Sequence, residues 1–153
     1  MQQVIHQIKY QKKFLLAVEL GKMLGNSLLK NKPGWKVDII LPVPLHSLKK
    51  AERGFNQSFY IAKGISKVTK FQVSHSIIKR KRYTESQTKK NLNERAENMS
   101  EAFIVKHADK IGGKNILLVD DVITTGATIR ECGKKLLECG AANIYAASIA
   151  LAE

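Results

Sequence analysis

The chain has 153 residues, a length that suits one domain with one sizeable hydrophobic core. Its 26 lysine and arginine residues outnumber 13 acidic residues, and the formal net charge of +13 favours an anionic substrate or partner. The sequence contains no repeat, low-complexity tract, signal peptide or apolar stretch of membrane-spanning length, so it predicts a folded cytoplasmic protein without membrane insertion.

The first half of the chain predicts a helix, a strand and a second helix within a single domain. Apolar residues recur at helical spacing over residues 1–30 and predict a helical cover for a core formed by residues 31–153. Val37 to Leu41 predicts a buried strand, which delivers Pro42 to His46 at its C-terminal end, where open α/β sheets bind ligands. Phe55 to Val68 predicts a helix that lies back on the sheet.

The second half predicts further strands around a basic loop. Val73 to Ile78 predicts a strand, and the polar, basic stretch from Lys79 to Asn91 is longer than most connections in compact domains, which is typical of a lid. Within it, we expect Lys81 to Lys90 to be mobile without ligand and to become protected when ligand binds. The remaining predicted elements are a short helix over Asn91 to Met99 and strands over Ala102 to Val105, Asn115 to Val119 and Asn143 to Ile149. Strands that alternate with helices favour an α/β fold with an open, mainly parallel sheet flanked by helices.

The two cysteines, Cys132 and Cys139, lie on one predicted helix that ends at Gly140. They are nearly two helical turns apart, too far for an unstrained disulfide, and predict free thiols in a reducing compartment. Because the sequence has no second cysteine pair, a structural zinc site has no ligands.

The segment from Ile116 to Thr128 is the most informative part of the chain. An apolar run ends in Asp120 and Asp121, and a turn rich in hydroxyls and glycine then opens a helix. The carboxylates can accept hydrogen bonds from two ribose hydroxyls, and the turn can wrap N–H groups around a phosphate at the positive end of the helix. The alternative is an ordinary loop in which the two acids cap the helix.

This segment resembles the phosphoribosyl pyrophosphate (PRPP) binding motif of type I phosphoribosyltransferases. Pro42 to His46 with Arg53 to Gln57 resembles the signature of the ComF amidophosphoribosyltransferase-like family, which is associated with DNA uptake during bacterial competence. The spacing of that family's next block is matched by six residues, namely Arg80, Thr84, Gln87, Arg95, Asn98 and Phe103. The chain departs from that family because it lacks the N-terminal four-cysteine zinc module, has Lys49 where many relatives have arginine, and ends without a base-reading hood segment.

The resemblance implies a set of site residues. Asp120, Asp121 and Arg80 are the implied catalytic residues, with Mg²⁺ bound mainly through PRPP rather than by protein ligands. The implied PRPP-binding residues are Asp120, Asp121, Thr124, Thr125, Gly126, Ala127, Thr128, Pro44, Leu45, His46, Lys49, Arg53 and Arg82. A structural role stays open for His46, and we expect Asn56 and Gln57 to pin the first loop to the sheet at a helix start.

Two functions fit these residues. One is phosphoribosyl transfer with release of pyrophosphate, linked to competence. The other is a catalytically silent PRPP-sensing or single-stranded-DNA-binding module that works with other competence proteins. Basic residues near Phe55, Tyr60 and Tyr83 can supply phosphate contacts and base stacking, whereas the helical spacing of Phe59 predicts a core residue.

Overall fold

The structure, a computed structural model, describes residues 14–45, 54–81 and 102–152. In chain order, the elements within these ranges are α1 (Phe14–Asn31), β1 (Ile39–Pro42), α2 (Gln57–Thr69), β2 (Gln72–Val73), β3 (Ile78–Arg80), β4 (Phe103–Val105), a 3₁₀ turn (Ala108–Lys110), β5 (Asn115–Ile123), α3 (Ala127–Glu138) and β6 (Asn143–Leu151).

Four of these strands form a parallel sheet in the order β2-β1-β5-β6. Ile39 of β1 lies opposite Ile116 of β5, and the register continues to Pro42 opposite Val119. On the other side of β5, the pairing with β6 runs from Asn115–Asn143 to Ile123–Leu151. Because neighbouring strands are parallel, their C-terminal ends meet at one edge of the sheet. The predicted open parallel sheet flanked by helices is confirmed.

Strand alternation divides the core between the two faces of this sheet, since successive side chains point to opposite faces. Helices α1 and α2 cover the face that contains Ile40, Leu117 and Val119. Helix α3 and the β3–β4 pair cover the face that contains Leu41, Ile116 and Leu118. The central strands β1 and β5 are therefore buried on both faces, which explains their continuous apolar sequences.

Helices α1 and α2 touch backbone to backbone through glycines. A Cβ added to Gly21 would collide with the carbonyl oxygen of Ile61 and lie 2.9 Å from Gly64 Cα. A Cβ on Gly64 would collide with the carbonyl oxygen of Val18. The two positions therefore require glycine because the opposing helix occupies the space of a side chain. The predicted helical cover is present from Phe14 onward, while its first 13 residues lie outside the described part of the chain.

An aromatic stack lies near the N-terminal end of the sheet. The rings of Trp35 and Tyr145 are 4.5 Å apart between centroids and inclined by 16°. Lys32 Nζ lies 5.7 Å from the centroid of the Trp35 ring. This stack joins the segment that precedes β1 to the first half of β6.

Two predicted strands need correction. The strand predicted over Val73 to Ile78 is wrong: β2 ends at Val73 and β3 begins at Ile78, with a bend between them. Strands β3 and β4 pair antiparallel with each other, outside the main sheet. Strand β5 extends to Ile123, well past the predicted end at Val119, because β6 continues to pair with it. The helix predicted over Asn91 to Met99 lies outside the described residues.

Within the three described ranges, no helix combines the length and apolar character needed to cross a bilayer.

Candidate functional site

Asp120 and Asp121 lie inside β5, near its C-terminal end. Asp120 is paired with Ser148 of β6, and the strand continues to Ile123, whose carbonyl oxygen accepts a hydrogen bond from the Ala152 N–H at 2.9 Å. Helix α3 begins only at Ala127 and has Gly126 at its N-cap. The alternative in which the two acids cap the helix is therefore wrong.

Each carboxylate is held by local hydrogen bonds. Asp120 Oδ1 accepts from the Asp121 N–H at 2.9 Å and from Ser58 Oγ at 3.0 Å. Asp121 Oδ1 accepts from the Val122 N–H at 2.9 Å. Both residues are half-buried, and these hydrogen bonds fix the two carboxylates. Such fixed oxygens can accept hydrogen bonds from a ligand that carries neighbouring hydroxyl groups.

The environment of Asp120 favours its neutral form. Burial, followed by the negative charge of Asp121, raises the pKa of Asp120 from 3.8 to about 7. The hydrogen bonds from the Asp121 N–H and from Ser58 act in the opposite direction, because they stabilise the carboxylate. Asp120 therefore titrates near neutral pH, which is unusual for an aspartate and common in functional sites.

The loop between β5 and α3 presents an uncapped helix end. Gly126 has a φ of 73°, a left-handed conformation that favours glycine. Thr125 Oγ1 accepts from the Ala127 N–H at 3.4 Å, and the Thr125 carbonyl accepts from Arg130 Nη1 at 2.8 Å. Gly126 provides no side-chain cap, so N–H groups of the first turn, which includes Thr128, are available to an anion. Thr124 and Thr125 are exposed.

The segment after β1 leaves the sheet beside these acids. The Val43 N–H donates to the Val119 carbonyl at 2.9 Å, immediately before Asp120 in β5. Pro44 and Leu45 follow and are half-buried. Asn56 donates from Nδ2 to the Val43 carbonyl at 3.0 Å and caps α2 by accepting from the Ser58 N–H. The expectation that Asn56 pins this segment at a helix start is confirmed, and Gln57 is buried as the first residue of that helix.

Arg80 lies at the end of β3, with its guanidinium carbon 5.5 Å from the centroid of the Phe103 ring. Cys132 of α3 is buried and is influenced by the charges of both Asp120 and Arg80. Burial and then the charge of Asp120 raise the pKa of Cys132 to about 12, while the charge of Arg80 opposes them. Cys132 and Cys139 are both free thiols, as predicted.

The structure thus brings together two of the three predicted catalytic residues and the whole predicted phosphate loop. Asp120, Asp121 and Thr124 to Thr128 follow one another along β5 and into α3, and Pro44 and Leu45 leave the adjacent strand at the same edge. Four predicted binding residues lie outside the described ranges, namely His46, Lys49, Arg53 and Arg82. Most of the predicted lid, from Arg82 onward, also lies outside them.

The sequence analysis did not identify Ser58 as a site residue. Ser58 is only 3% exposed and donates a hydrogen bond to Asp120. The sequence marks it only as a hydroxyl residue two positions after a helix cap.

The prediction for Phe59 concerned the hydrophobic core. Phe59 is half-buried and belongs to neither core cluster of the described residues, so its prediction as a core residue is not supported. Its ring lies 5.1 Å from that of His75, with Lys63 Nζ 4.9 Å from its centroid.

The described ranges hold no group of three or more His, Cys, Asp or Glu side chains that could bind a metal ion. The adjacent carboxylates of Asp120 and Asp121 lie near the C-terminal end of β5. Magnesium commonly binds substrate phosphates and water with few protein ligands, so this edge suits a metal ion that arrives with a phosphorylated ligand.

Comparison with known proteins identifies relatives of this arrangement. Residues 28–152 match the family model described as phosphoribosyl transferase domain. The chain is 28% identical over 153 residues to competence protein F of Haemophilus influenzae, covering 97% of this chain and 67% of that protein. It is 32% identical over 144 residues to DNA utilization protein YhgH of Escherichia coli O157:H7, covering 92% and 63% respectively. The chain therefore spans about two thirds of the length of these relatives.

The fold also resembles that of a solved enzyme. Glutamine PRPP amidotransferase of B. subtilis, solved with ADP and GMP, matches 87% of this chain with a TM-score of 0.62 and 21% identity. The match covers 26% of that protein. At this identity the likeness concerns the fold alone, which is that of the type I phosphoribosyltransferases.

Proposed function

The chain belongs to the phosphoribosyl transferase domain family as a ComF-type member, and we propose on this basis that it binds PRPP and transfers the phosphoribosyl group with release of pyrophosphate. Two relatives are named for competence and for DNA utilization, and we propose that this chain works in such a process. The observation that carries the proposal is the convergence of the Asp120–Asp121 pair, the loop before α3 and the segment after β1 at one sheet edge.

The 5′-phosphate of PRPP binds at the start of α3. The loop from Thr124 to Gly126 leads into a helix whose N-cap residue, Gly126, has no side chain, while Thr125 Oγ1 accepts from the Ala127 N–H. Aligned N–H groups and the helix dipole attract a phosphate, and the hydroxyls of Thr124, Thr125 and Thr128 supply further donors. Gly126 turns the backbone so that these donors converge.

The ribose binds at the carboxylates. Asp120 and Asp121 accept hydrogen bonds from the two ribose hydroxyls and so orient the sugar ring for cleavage of the bond to pyrophosphate. Their partial burial strengthens these hydrogen bonds by excluding water. With a pKa of about 7, Asp120 is substantially ionised at neutral pH and becomes a better acceptor as the pH rises.

The pyrophosphate leaving group binds beside the segment after β1. Negative charge grows on the leaving group as the glycosidic bond breaks, so donors and cations stabilise the transition state. Backbone groups of Pro44–His46 and the side chains of Lys49, Arg53, Arg80 and Arg82 take this role in our proposal. Mg²⁺ that arrives with PRPP would need few protein ligands, and it would supply positive charge beside the leaving group.

A catalytically silent module is the alternative, and one observation favours a nucleic-acid surface for it. Phe59, Tyr60 and His75 form edge-to-face ring contacts, and Lys63 Nζ lies within 4.9 Å and 5.8 Å of the first two ring centroids. Residues 54–81 contain no Asp or Glu. Partly exposed aromatic rings beside lysines suit stacking with bases and contact with phosphates of single-stranded DNA.

Calorimetry with PRPP and Mg²⁺, followed by a pyrophosphate-release assay with bases, amines and oligonucleotides as acceptors, tests the proposal. We expect PRPP binding and release of pyrophosphate with at least one acceptor. PRPP binding without release of pyrophosphate would support the PRPP-sensing module. An absence of PRPP binding would contradict both the transferase and the PRPP-sensing module.

The DNA alternative has its own test. Anisotropy of a labelled single-stranded oligonucleotide should fall steeply with salt, because bound lysines release counterions from the phosphates. Lys63→Gln should weaken this binding, whereas Lys30→Gln on the last turn of α1 serves as the matched control. If PRPP and DNA bind to coupled sites, each must change the affinity of the other by the same factor.

A further inference from the structure

A continuous hydrogen-bonded connection joins the ends of β1 and β5 through the start of α2. Asn56 donates to the Val43 carbonyl at 3.0 Å and accepts from the Ser58 N–H at 3.0 Å. Ser58 Oγ then donates to Asp120 Oδ1 at 3.0 Å, across 62 positions of sequence. The connection therefore spans the two strand ends from which the proposed pyrophosphate and ribose contacts arise.

Burial favours the hydrogen bond between Ser58 and Asp120. Ser58 is 3% exposed, so water competes little for its hydroxyl, and the Asp120 carboxylate is the partner that it contacts. Unlike Ser66, whose hydroxyl bonds the nearby Phe71 carbonyl at 2.6 Å, Ser58 bonds a distant strand. Capping by Asn56 fixes the first turn of α2, and that turn fixes the hydroxyl.

We infer that Asn56 and Ser58 are positioning residues that hold the Asp120 carboxylate at a set distance and orientation from the segment after β1. This inference rests on the proposed role of Asp120 in binding ribose. In PRPP the ribose and the pyrophosphate are joined covalently. The protein groups that bind the ribose and those that bind the pyrophosphate must therefore stay at a fixed distance from each other. The Asn56–Ser58 connection supplies that constraint within the protein.

Several ionisable groups surround Asp120 and bear on any test by titration. Asp121 follows it on β5 and raises its pKa, and the charge of Asp120 in turn raises the pKa of Cys132 on α3. Arg80 on β3 and Glu131 on α3 act on the same cysteine. Ser58 on α2 lowers the pKa of Asp120 by donating to its carboxylate. Replacing Ser58 changes none of these charges, so its effect on Asp120 can be isolated.

The first experiment compares Ser58→Ala with Ser66→Ala in the full chain. Both variants remove one hydroxyl from α2, but only the first removes a bond to Asp120. We expect carbon-detected NMR without ligand to show an upward shift of the Asp120 pKa in Ser58→Ala and no shift in Ser66→Ala. We also expect Ser58→Ala to weaken PRPP binding about tenfold at neutral pH, the effect of one hydrogen bond to a charged group.

The pH dependence separates positioning from general damage. Because Ser58→Ala raises the pKa of Asp120, its loss of PRPP affinity should be larger near neutral pH than at about pH 9, where the carboxylate is ionised in both proteins. An equal loss at every pH with an unchanged Asp120 pKa would overturn the inference. Equal behaviour of the Ser58 and Ser66 variants would also overturn it.

The second experiment uses Asn56→Ser, which keeps a good helix cap and removes the amide donor to Val43. We expect weaker PRPP binding with little change in the melting temperature. Unchanged affinity would contradict a link between the two strand ends. If the wild-type protein binds no PRPP, the proposed function fails, whereas the Asp120 titration in Ser58→Ala still reports whether Ser58 controls that carboxylate.

Discussion

Two regions of the molecule differ in packing and charge, namely the contact between α1 and α2 and the C-terminal end of β5. At the helix contact, Gly21 and Gly64 let two backbones touch, and the surrounding side chains are apolar and buried. At the edge of β5, Asp120 and Asp121 are adjacent, half-buried and alike in charge, and Gly126 holds a left-handed backbone conformation. The first region is arranged for close packing, whereas the second holds two adjacent carboxylates, one of which, Asp120, has a pKa raised by burial.

This difference distinguishes residues that stabilise the fold from residues that are suited to bind a ligand. Close packing of glycine against backbone contributes to stability, because it lets the two helices approach each other. An aspartate with a pKa raised to about 7 lowers the stability of the folded state at neutral pH, so another benefit must explain its presence. Binding of a hydroxyl-rich anion at this edge is such a benefit.

The largest expected effect is at the helix contact. Gly64→Ala places a Cβ against the Val18 carbonyl oxygen and 2.7 Å from Gly21 Cα, and neither backbone can move without separating the helices. We expect the free energy of unfolding in urea to fall by about 3–5 kcal/mol. Gly34→Ala is the matched control, since nothing lies within 4 Å of its added Cβ. A small effect at Gly64 would mean that the contact is looser than described.

The next effect concerns ligand rather than folding. Asp120→Asn combined with Asp121→Asn should weaken PRPP binding by about 2–4 kcal/mol, because charged acceptors to two hydroxyls are lost. Calorimetry measures the affinity, and circular dichroism checks that the fold remains. Asp38→Asn is the control, since Asp38 accepts from the Asn115 N–H at the opposite end of β5. Equal affinity of the double variant and the wild type would exclude the ribose role.

Asp120→Asn alone should stabilise the protein above neutral pH. The folded state raises the pKa of Asp120 from 3.8 to about 7, so wild-type stability declines as the pH rises through about 7. We expect the free energy of unfolding of the variant to exceed that of the wild type by about 1–3 kcal/mol at pH 8. This difference should disappear toward pH 4. Asp109→Asn, an exposed replacement, should show no such pH dependence. A constant gap across this range would argue against a raised pKa.

The smallest effect is expected at the loop before α3. Gly126→Ala forces a side chain into a backbone with a φ of 73° and places its Cβ 3.2 Å from Arg130 Nη1. We expect a loss of about 1 kcal/mol, seen as a fall of about 2–4 °C in melting temperature. Gly112→Ala has nothing near its added Cβ and should be nearly neutral. Similar melting temperatures for both variants would show that the loop tolerates a side chain.

The sequence alone predicted the parallel sheet and the order of the motif from strand to helix. Those predictions succeeded because β-branched and leucine-rich strands buried on both faces have a distinctive pattern, and because Gly126 and Gly140 mark the boundaries of α3. The cap at Asn56 was also predictable, since asparagine before an apolar helical pattern favours that position.

Long-range pairing explains what the sequence did not predict. The end of β5 depends on β6, which pairs with it as far as Ile123, and no local pattern around Asp120 records that partner. The break between β2 and β3 arises because β3 pairs with β4 rather than with the main sheet. The bond from Ser58 to Asp120 joins residues far apart in sequence, so neither residue indicates the other.

The ring stack of Trp35 on Tyr145 has a practical consequence for studying this chain. Trp35 is the only tryptophan in the sequence, and its ring lies near the N-terminal end of the sheet, while Asp120 lies toward the other end of β5. Its intrinsic fluorescence should therefore report separation of β6 from the segment before β1 during unfolding, with little response to a ligand bound at the opposite edge. A single optical signal can then follow folding while ligand is titrated in the same cuvette.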